Sequence, residues 1–488
     1  MNFENTNSKK FWPFSNSYLK LPEEFYELIK PNKTKNPKLI KFNYSLSKEL
    51  NLNLENKKLI TDLLSGNYIP ENAKTIALAY SGHQFGNFVP NLGDGRAILL
   101  GEITNTKGVL KDIQLKGSGR TKFSRSGDGK APLGPVIREY IVSEAMHALS
   151  IPTTRSLAIV STGEKVLREK SFPGGIVSRV ASSHLRVGTF QYCQILNNLD
   201  KLKKLCDYTI DRHFPFLKDN KNPYLSLLSE VQERQTLLIS KWMSVGFIHG
   251  VMNTDNTSIS GETIDFGPCA FMDQYNPNTV FSSIDQNGRY SFNNQPAIAQ
   301  WNLARFAESI LQLINNDVKI AVSQANEIIN EYPKLFKEKW LNEMRKKIGL
   351  KKIEKNDETL INNLLNIMSK NDLDYTTTFR NLNSKNIIKK GLDNEFNNWV
   401  HEWKKRLEKE VRSFDIISKE MNNHNPLYIP RNHLVEKVIS EAVENNNFQA
   451  LNYFLDLITN PFSKKNDDTF YTNTPKPEER VYQTFCGT

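Results

Sequence analysis

The hydrophobic pattern changes once along the chain, and the order of that change restricts which folds the chain can form. Short apolar runs rich in β-branched residues, typical of strands, lie at 96–103, 110–117, 154–161 and 174–181. From about residue 190 the apolar residues recur at helical spacing, as in 231–247. Strands followed by helices predict an α+β protein, with a strand-rich part at 76–190 and a helical part at 191–488.

Local signals give more detailed expectations. The polar segment 1–75 is predicted to be an N-terminal extension that wraps the rest, with short helices over 21–29 and 44–52. We expect a helix to begin at Pro135, because proline is favoured at the first helical position. Amphipathic helices are expected at 298–314, 395–411 and 434–458. Polar stretches near 350–390 and 463–478 are expected to be surface loops.

Composition excludes several classes of protein. With 39% hydrophobic and 24% charged residues, the 488-residue chain is predicted to be globular. Its net charge of +11 is spread out without interleaved aromatic residues, so no nucleic-acid partner is expected. The chain contains no apolar run of about 18 residues, so no membrane span is expected. Because no signal peptide and no paired cysteine spacing stand out, we expect a cytoplasmic bacterial protein, with a monomer as the default.

The stretch HGVMNTDNTSISGETIDFG, residues 249–267, is similar to the catalytic and metal-binding loops of a protein kinase. His249 and Asn256 have the kinase separation, and Asp265 begins the D-F-G. The position of the kinase catalytic Asp is Val251, which cannot accept a proton. Asp255 is the nearby acid that could replace it, although an Asp here could equally cap a turn.

Metal binding is the second chemistry that this stretch predicts. Asn256 and Asp265 supply an amide and a carboxylate oxygen, ligands that Mg²⁺ accepts together with phosphates and water. Mn²⁺ accepts the same oxygen ligands, so the choice between the two ions stays open.

Lys116 closes a strand pattern, as the phosphate-pairing lysine of a kinase does. A lysine in this position, taken alone, is more often a solvated strand end. Glu139 and Glu144 follow on the next helix and could each pair with it. They lie about 140° apart around the helix, so both cannot face the lysine. We prefer Glu139, with Glu144 as the alternative.

Two Gly-Asp-Gly turns bracket the lysine, GDGR at 93–96 and GDGK at 127–130. Glycine lets backbone N–H groups approach a phosphate closely, although a single such turn is usually only a turn. Arg179 and Arg186 could converge on a polyphosphate if the chain turns between them. Taken alone, they could equally be surface arginines.

Three long segments, 80–102, 112–160 and 249–273, resemble the selenoprotein O family, called YdiU in bacteria. The similarity runs from NSYLKLPEEFY near the start to the final CGT. The resemblance implies a two-lobed, protein-kinase-like fold with a strand-rich N-lobe, a helical C-lobe and extra terminal helical segments. It also implies ATP bound in the reverse orientation, with the α-phosphate facing the acceptor.

The family activity implied is transfer of AMP to Ser, Thr or Tyr hydroxyls of proteins with release of pyrophosphate, and UMP transfer with Mn²⁺ is also attributed to bacterial members. By resemblance, Asp255 accepts the substrate proton, and Asn256 and Asp265 bind the metal. The nucleotide contacts implied, besides Asp265, are Gly93, Gly95, Arg96, Lys116, Asp128, Gly129, Arg179 and Arg186.

The resemblance also gives two cysteines a meaning. Cys486 stands where some family members carry selenocysteine, and Cys269 closely follows the D-F-G. In this family the two positions are candidates for a redox-sensitive disulfide, although a reducing cytosol disfavours such a bond.

Two other activities remain as alternatives. Ordinary transfer of the γ-phosphate needs a base near that phosphate, and Val251 argues against one. A non-catalytic ATP-binding scaffold has no need of metal ligands, so Asn256 and Asp265 argue against it.

Overall fold

An antiparallel sheet forms the first part of the molecule. The computed structural model describes residues 12–52, 54–384, 394–465 and 469–485. The sheet runs in the order β1-β3-β6-β7-β10-β9-β2, with β8 paired to β10 and a separate hairpin made by β4 and β5. The strands are Tyr26–Leu28 (β1), Lys38–Phe42 (β2), Ile76–Leu78 (β3), Gly82–Gln84 (β4), Asn87–Val89 (β5), Ala97–Thr104 (β6), Leu110–Lys116 (β7), Ala131–Pro132 (β8), Arg155–Leu167 (β9), Ser171–Ala181 (β10), Phe247–Ile248 (β11) and Ala270–Phe271 (β12).

Helices make up most of the rest. Through the first part they are Tyr44–Glu49 (α1), Lys57–Leu64 (α2), Leu133–Ala148 (α3), Val187–Ile195 (α4), Leu199–His213 (α5) and Pro223–Ser244 (α6). After residues 249–267, called the catalytic-loop stretch below, come Gln295–Ile314 (α7), Val318–Lys347 (α8), Asp357–Lys370 (α9), Tyr375–Asn381 (α10), Asn394–Glu408 (α11), Phe414–Asn422 (α12), Asn432–Glu444 (α13) and Gln449–Ile458 (α14). Among the described residues, no helix is long and apolar enough to cross a membrane. The strand-then-helix order confirms the mixed α/β class.

The core has three apolar clusters. The largest joins the helices of the second half to the edge of the sheet, with Phe190, Phe247 and Phe306 fully buried. A second cluster packs the N-terminal segment, including Trp12, against one face of the sheet. In the third, α3 on the other face packs against α13 and α14, so the last helices return to the strand-rich part.

The N-terminal segment differs in part from expectation. The expected helix over 21–29 is wrong, because only a 3₁₀ turn at Glu23–Phe25 forms before Tyr26–Leu28 pairs with β3. Strand β2 likewise pairs with β9, so residues before 75 contribute two strands to the sheet itself. The expected helix over 44–52 is present at Tyr44–Glu49.

Three further expectations are wrong at the level of secondary structure. Helix α3 begins at Leu133 after Pro132, so Pro135 is its third residue and not its first. The stretch 350–390 holds helices α9 and α10, whose Ile361, Leu364 and Phe379 are buried. Its polar residues lie on the outer faces of amphipathic helices, and residues 385–393 lie outside the described part. The helical spacing over 231–247 also predicted too long a helix, because α6 ends at Ser244 and Phe247 lies in β11.

A buried ion network fastens helix α5 to the sheet. Arg212 on this helix pairs with Glu102 at 2.6 Å and with Asp112 at 2.7 Å, and all three side chains are at most 6% exposed. The second carboxylate oxygen of Asp112 lies 2.9 Å from Nδ1 of His184. Burial would raise the pKa of Asp112, but the charge of Arg212 and the hydrogen bond from His184 hold it below its usual range.

This network predicts a large cost for removing its one arginine. Arg212→Met leaves two buried carboxylates without their cation, so the free energy of unfolding should fall by about 3–5 kcal/mol. The matched control is Lys203→Met on the same helix, where an exposed lysine pairs with Asp207. The control should change stability by about 0–1 kcal/mol. Urea unfolding followed by circular dichroism measures both, and equal costs for the two variants would contradict this account.

Candidate active site

A cavity of about 490 Å³ lies between the sheet and the catalytic-loop stretch. Every residue that the resemblance assigned to nucleotide, metal or proton transfer lines it: Gly93, Gly95, Arg96, Lys116, Asp128, Gly129, Arg179, Arg186, Asp255, Asn256 and Asp265. Residues from 93 to 265 in sequence therefore meet around one space. The volume falls within the range of about 300–1,000 Å³ that is usual for small-molecule sites.

Asp265 is the centre of the charge arrangement in this cavity. Its Oδ1 accepts from Lys116 at 2.7 Å and from Arg179 at 2.6 Å, and its Oδ2 accepts from Arg186 at 2.8 Å. Burial alone would raise the pKa of Asp265, but the charges of these three cations hold it well below the usual range. Asp265 also has a φ of 65°, a strained conformation for a residue with a side chain.

Neighbouring strands place two of these cations. Gln114 on β7 lies directly opposite Arg179 on β10, and Lys116 is two residues further along β7, so all three share one face of the sheet. Glu139 on α3 then bridges the cations: its Oε2 accepts from Lys116 at 2.7 Å, and its Oε1 accepts from Arg179 at 2.6 Å. Glu144 instead lies buried against Arg155. Glu139, the preferred of the two acids, therefore holds Lys116.

The two Gly-Asp-Gly turns form one wall of the cavity. Gly93 and Gly129 both have positive φ, at 86° and 71°. A Cβ on Gly93 would lie 2.4 Å from the ring of Phe123, and a Cβ on Gly129 would lie 2.2 Å from the backbone of Gly119. Only glycine therefore fits either position. The closely packed backbone of both turns forms part of the cavity lining, where a phosphate could approach it.

Asp128 has a structural partner that the sequence did not reveal. Arg168, near the end of β9, makes a two-point ion pair with its carboxylate at 2.9 and 3.0 Å. The hydrogen bond from Arg168 is the main reason why the pKa of Asp128 is below its usual value. The arginine lies 40 residues along the chain, so no local spacing signal pointed to it.

His249 fixes the start of the catalytic-loop stretch. Its Nδ1 accepts from the backbone N–H of Val251 at 3.3 Å, so the proton is on Nε2, which donates to the carbonyl of Ile264 at 2.9 Å. Burial lowers the pKa of this imidazole, which favours that neutral form. Val251 lines the cavity and its carbonyl accepts from the side-chain amide of Asn256 at 3.0 Å. The amide oxygen of Asn256 is thereby left for the cavity.

The donor set fits a metal that arrives with phosphate groups. Asp265 offers an ionised carboxylate and Asn256 an amide oxygen, and both line the same cavity. No group of three or more His, Cys, Asp or Glu side chains suited to a metal occurs in the described part of the chain. Hard oxygen ligands in so small a number suit Mg²⁺ or Mn²⁺ whose shell is completed by phosphates and water.

Asp255 is buried beside this set with most of its hydrogen-bonding capacity unused. Its Oδ2 accepts from Gln84 at 3.3 Å, and its Oδ1 is buried without a partner among the described residues. Burial raises the pKa of Asp255 to about 6, against the charge of Arg186. A desolvated carboxylate with a free oxygen at a cavity wall is suited to accept a proton from a bound hydroxyl.

The β4–β5 hairpin covers Asp255, and the residue patterns gave it no role. The backbone N–H of His83 donates to Thr254 at 2.7 Å, and that of Phe85 donates to Asn253 at 3.1 Å. Gly82 lies so close that a Cβ there would be 2.5 Å from Oδ1 of Asp255. Gly188 crowds the backbone of the same residue from the other side. The hairpin therefore fixes the position of this carboxylate.

The cavity also contains aromatic and acidic neighbours that were not predicted. The guanidinium of Arg186 lies 4.6 Å from the ring centroid of Tyr80. Asp94, inside the first Gly-Asp-Gly turn, accepts from Gln114 at 2.8 Å and lies 3.9 Å from Arg186. The family-like segments contain Tyr80, Asp94 and Gln114, but spacing alone gave no signal for their contacts.

Comparisons with known proteins place the chain in a family. Residues 11–459 match the family model described as "Protein adenylyltransferase SelO". A relative named "Protein nucleotidyltransferase YdiU" from Clostridium perfringens (strain SM101 / Type A) is 52% identical over 492 residues, with both chains covered completely. Relatives of the same name from Rhizobium meliloti (strain 1021) and Brevibacillus brevis (strain 47 / JCM 6285 / NBRC 100599) are each 50% identical, covering 97% and 98% of this chain and 99% and 98% of their own.

The hairpin predicts a specific effect of one methyl group. Gly82→Ala places a Cβ against the Asp255 carboxylate, so the carboxylate must move while the phosphate-facing cations stay in place. We expect the rate of nucleotidyl transfer at saturating nucleotide to fall about 100-fold, the cost of a misplacement of about 1 Å. The affinity for nucleotide, measured by calorimetry, should not change.

Asn87→Ala is the matched control, because Asn87 is exposed and pairs with Gln84 in the same hairpin. This variant should keep the wild-type rate. The role assigned to the hairpin is contradicted if Gly82→Ala, folded as shown by its melting temperature, transfers nucleotide as fast as wild type.

Proposed function

The chain belongs to the SelO family of protein adenylyltransferases and is a nucleotidyltransferase, and we propose that it transfers AMP from ATP to a Ser, Thr or Tyr hydroxyl of a protein. The hydroxyl oxygen forms a bond to the α-phosphorus, and the bond between the α-phosphorus and the bridging oxygen to the β-phosphate breaks. Pyrophosphate leaves, and the hydroxyl proton passes to Asp255. The family also suggests a variant of this reaction in which UMP is transferred from UTP.

One observation carries the proposal: the potential base is at Asp255, and the kinase position, Val251, has no proton acceptor. Asp255 and Val251 both line the cavity, together with the cations Lys116, Arg179 and Arg186. A kinase needs its base beside the γ-phosphate. If the phosphate tail lies among these cations, the Asp255 carboxylate can face the α-phosphate instead. This arrangement supports ATP bound with adenosine outward, within a kinase-like two-lobed fold.

The residues of the chain have separate roles in this reaction. Lys116, Arg179 and Arg186 neutralise the phosphate tail, and Glu139 holds the first two in place. Asp255 receives the proton, since its desolvated carboxylate has an oxygen without a partner. Asn256 and Asp265 would hold Mg²⁺ or Mn²⁺, which, when bound, offsets charge on the phosphates. A carboxylate near pKa 6 is suited to accept a proton at neutral pH.

Labelled nucleotide distinguishes the proposal from its alternatives. The protein is incubated with a cell lysate, Mg²⁺ or Mn²⁺, and ATP labelled on either the α- or the γ-phosphate. We expect label in protein from α-labelled ATP only, because AMP keeps the α-phosphorus. Label from γ-labelled ATP only would establish a kinase, and bound ATP without any transfer would establish a scaffold.

Two variants should separate proton transfer from nucleotide binding in that assay. Asp255→Asn keeps the size of the side chain but removes the proton acceptor, so transfer should fall at least about 100-fold with ATP affinity retained. Asp265→Ala should lose transfer, because it removes one of the two proposed metal ligands. Transfer by Asp255→Asn at the wild-type rate would refute the role of this carboxylate.

We further propose that Cys269 and Cys486 can form a disulfide. Cys486 lies outside the described residues, but Thr484 close before it is held near Cys269. The Thr484 hydroxyl donates to the carbonyl of Pro268, and its backbone N–H donates to Phe281 at 2.7 Å. Cys269 itself is a buried free thiol whose pKa burial raises to about 11. Two thiols would give a disulfide, two protons and two electrons, the electrons passing to an external disulfide.

Intact mass after alkylation tests this pairing. With oxidised dithiothreitol as the oxidant, the unfolded wild-type protein should take up two fewer alkyl groups than the reduced protein. Cys486→Ser should show no such loss, because Cys193 and Cys206 are buried and stay free. Equal alkylation of oxidised and reduced wild type would remove the disulfide.

A further inference from the structure

A second cavity, of about 170 Å³, lies in the helical part of the molecule. Lys241 on α6, Lys346 and Lys347 on α8, and His424 after α12 line it. None of its lining residues lines the nucleotide cavity. Four basic side chains therefore converge on a space that the proposed reaction does not use.

Lys347 is the side chain that most needs an explanation. It is only 3% exposed, and its Nζ lies 4.4 Å from the ring centroid of Phe379 and 5.5 Å from that of Tyr375. Glu343, one turn earlier, pairs with Lys346 at 2.6 Å, and Lys347 has no carboxylate partner within the described ranges. Burial lowers the pKa of this lysine to about 7, although the charge of nearby Glu343 acts against the shift. A charge placed so is costly unless something pairs with it.

The position at a helix end does not account for this burial. Lys346 and Lys347 lie in the last turn of α8, where the helix dipole favours cations. That effect is available to an exposed lysine and gives no reason to bury one. The pKa of His424, at the rim of the cavity, is lowered. Partial burial is the main cause and the charge of Lys346 comes next, with smaller effects from Lys347 and Lys241. The cavity thus has an excess of positive charge that Glu343 opposes only in part.

We propose that this cavity binds a small oxyanion of the phosphate type. Lys347 would contact it from the buried side, with Lys241 and Lys346 beside it and His424 at the entrance. At about 30 Å³ per water molecule, the space holds about five or six waters, enough for one phosphate. It is smaller than the about 300 Å³ at which pockets for larger ligands begin, so a nucleotide does not fit.

Binding to the full-length protein tests the proposal directly. Calorimetry and melting temperature are recorded with inorganic phosphate, with succinate and with chloride at matched ionic strength. We expect saturable binding of phosphate and a rise in melting temperature beyond that given by chloride. Lys347→Met should abolish this response, and Lys241→Met should weaken phosphate binding at least about tenfold. The matched control is Lys334→Met on the same helix, where the lysine is 71% exposed, and it should respond like wild type.

The remaining outcomes are also decisive. Lys116→Met alters only the nucleotide cavity, so we expect this variant to keep the response to phosphate. Loss of the response in Lys116→Met would mean that phosphate binds in the nucleotide cavity instead. Lys347→Met responding like wild type, or no response beyond chloride, would overturn the site. Succinate binding as tightly as phosphate would overturn the phosphate class. If Lys347→Met fails to fold, Lys241→Met and His424→Gln, which alter less buried side chains, decide the question by the same measurements.

Discussion

The contact between Asp265 and three cations organises the cavity, and most of the surrounding structure serves to hold it. A buried carboxylate and buried cations are each costly alone, and they become tolerable only when they meet at hydrogen-bonding distance. Strands β7 and β10 supply Lys116 and Arg179, and the segment leading into α4 supplies Arg186. Asp265 balances the positive charge of these three side chains, a charge that the phosphate tail of a bound nucleotide would balance in the proposed reaction. We infer that nucleotide binding exchanges partners at this carboxylate while the charge balance of the cavity is kept.

Proton transfer depends on a different kind of constraint, which is crowding. Asp255 packs against Gly82 and Gly188: a Cβ at Gly82 would collide with its carboxylate, and a Cβ at Gly188 would lie 3.2 Å from its Cα. Its carboxylate is kept from water and from hydrogen-bond partners on one side, and this isolation raises its pKa. The kinase-like position at Val251 has no such role left, and its carbonyl serves to orient Asn256. In the proposed reaction, the site combines rigid charge pairing for the phosphates with a poorly solvated base for the hydroxyl.

How far the sequence predicts this structure depends on the range of each interaction. Strands such as 96–103 and 110–117 were predictable because a short apolar run rich in β-branched residues is a local signal. Helix geometry forbids Glu139 and Glu144 from both facing Lys116, but it does not decide between them; the structure places Glu139 against the lysine. The pairing of Arg168 with Asp128 and the covering of Asp255 by the 82–89 hairpin were not predictable, since they join segments far apart in sequence. The helices within 350–390 were missed because their polar outer faces outweighed a short buried stripe.

A crystal structure with Mn²⁺ and a non-hydrolysable ATP analogue tests the central claim most directly. The claim is that the phosphate tail enters the cavity first and that the α-phosphate faces Asp255. We predict that the α-phosphorus lies nearer to the Asp255 carboxylate than the γ-phosphorus does. The phosphate tail should contact Lys116, Arg179 and Arg186, and the adenine should face solvent. A γ-phosphorus nearer to Asp255, with adenine buried, would contradict the account and would make this protein a phosphotransferase.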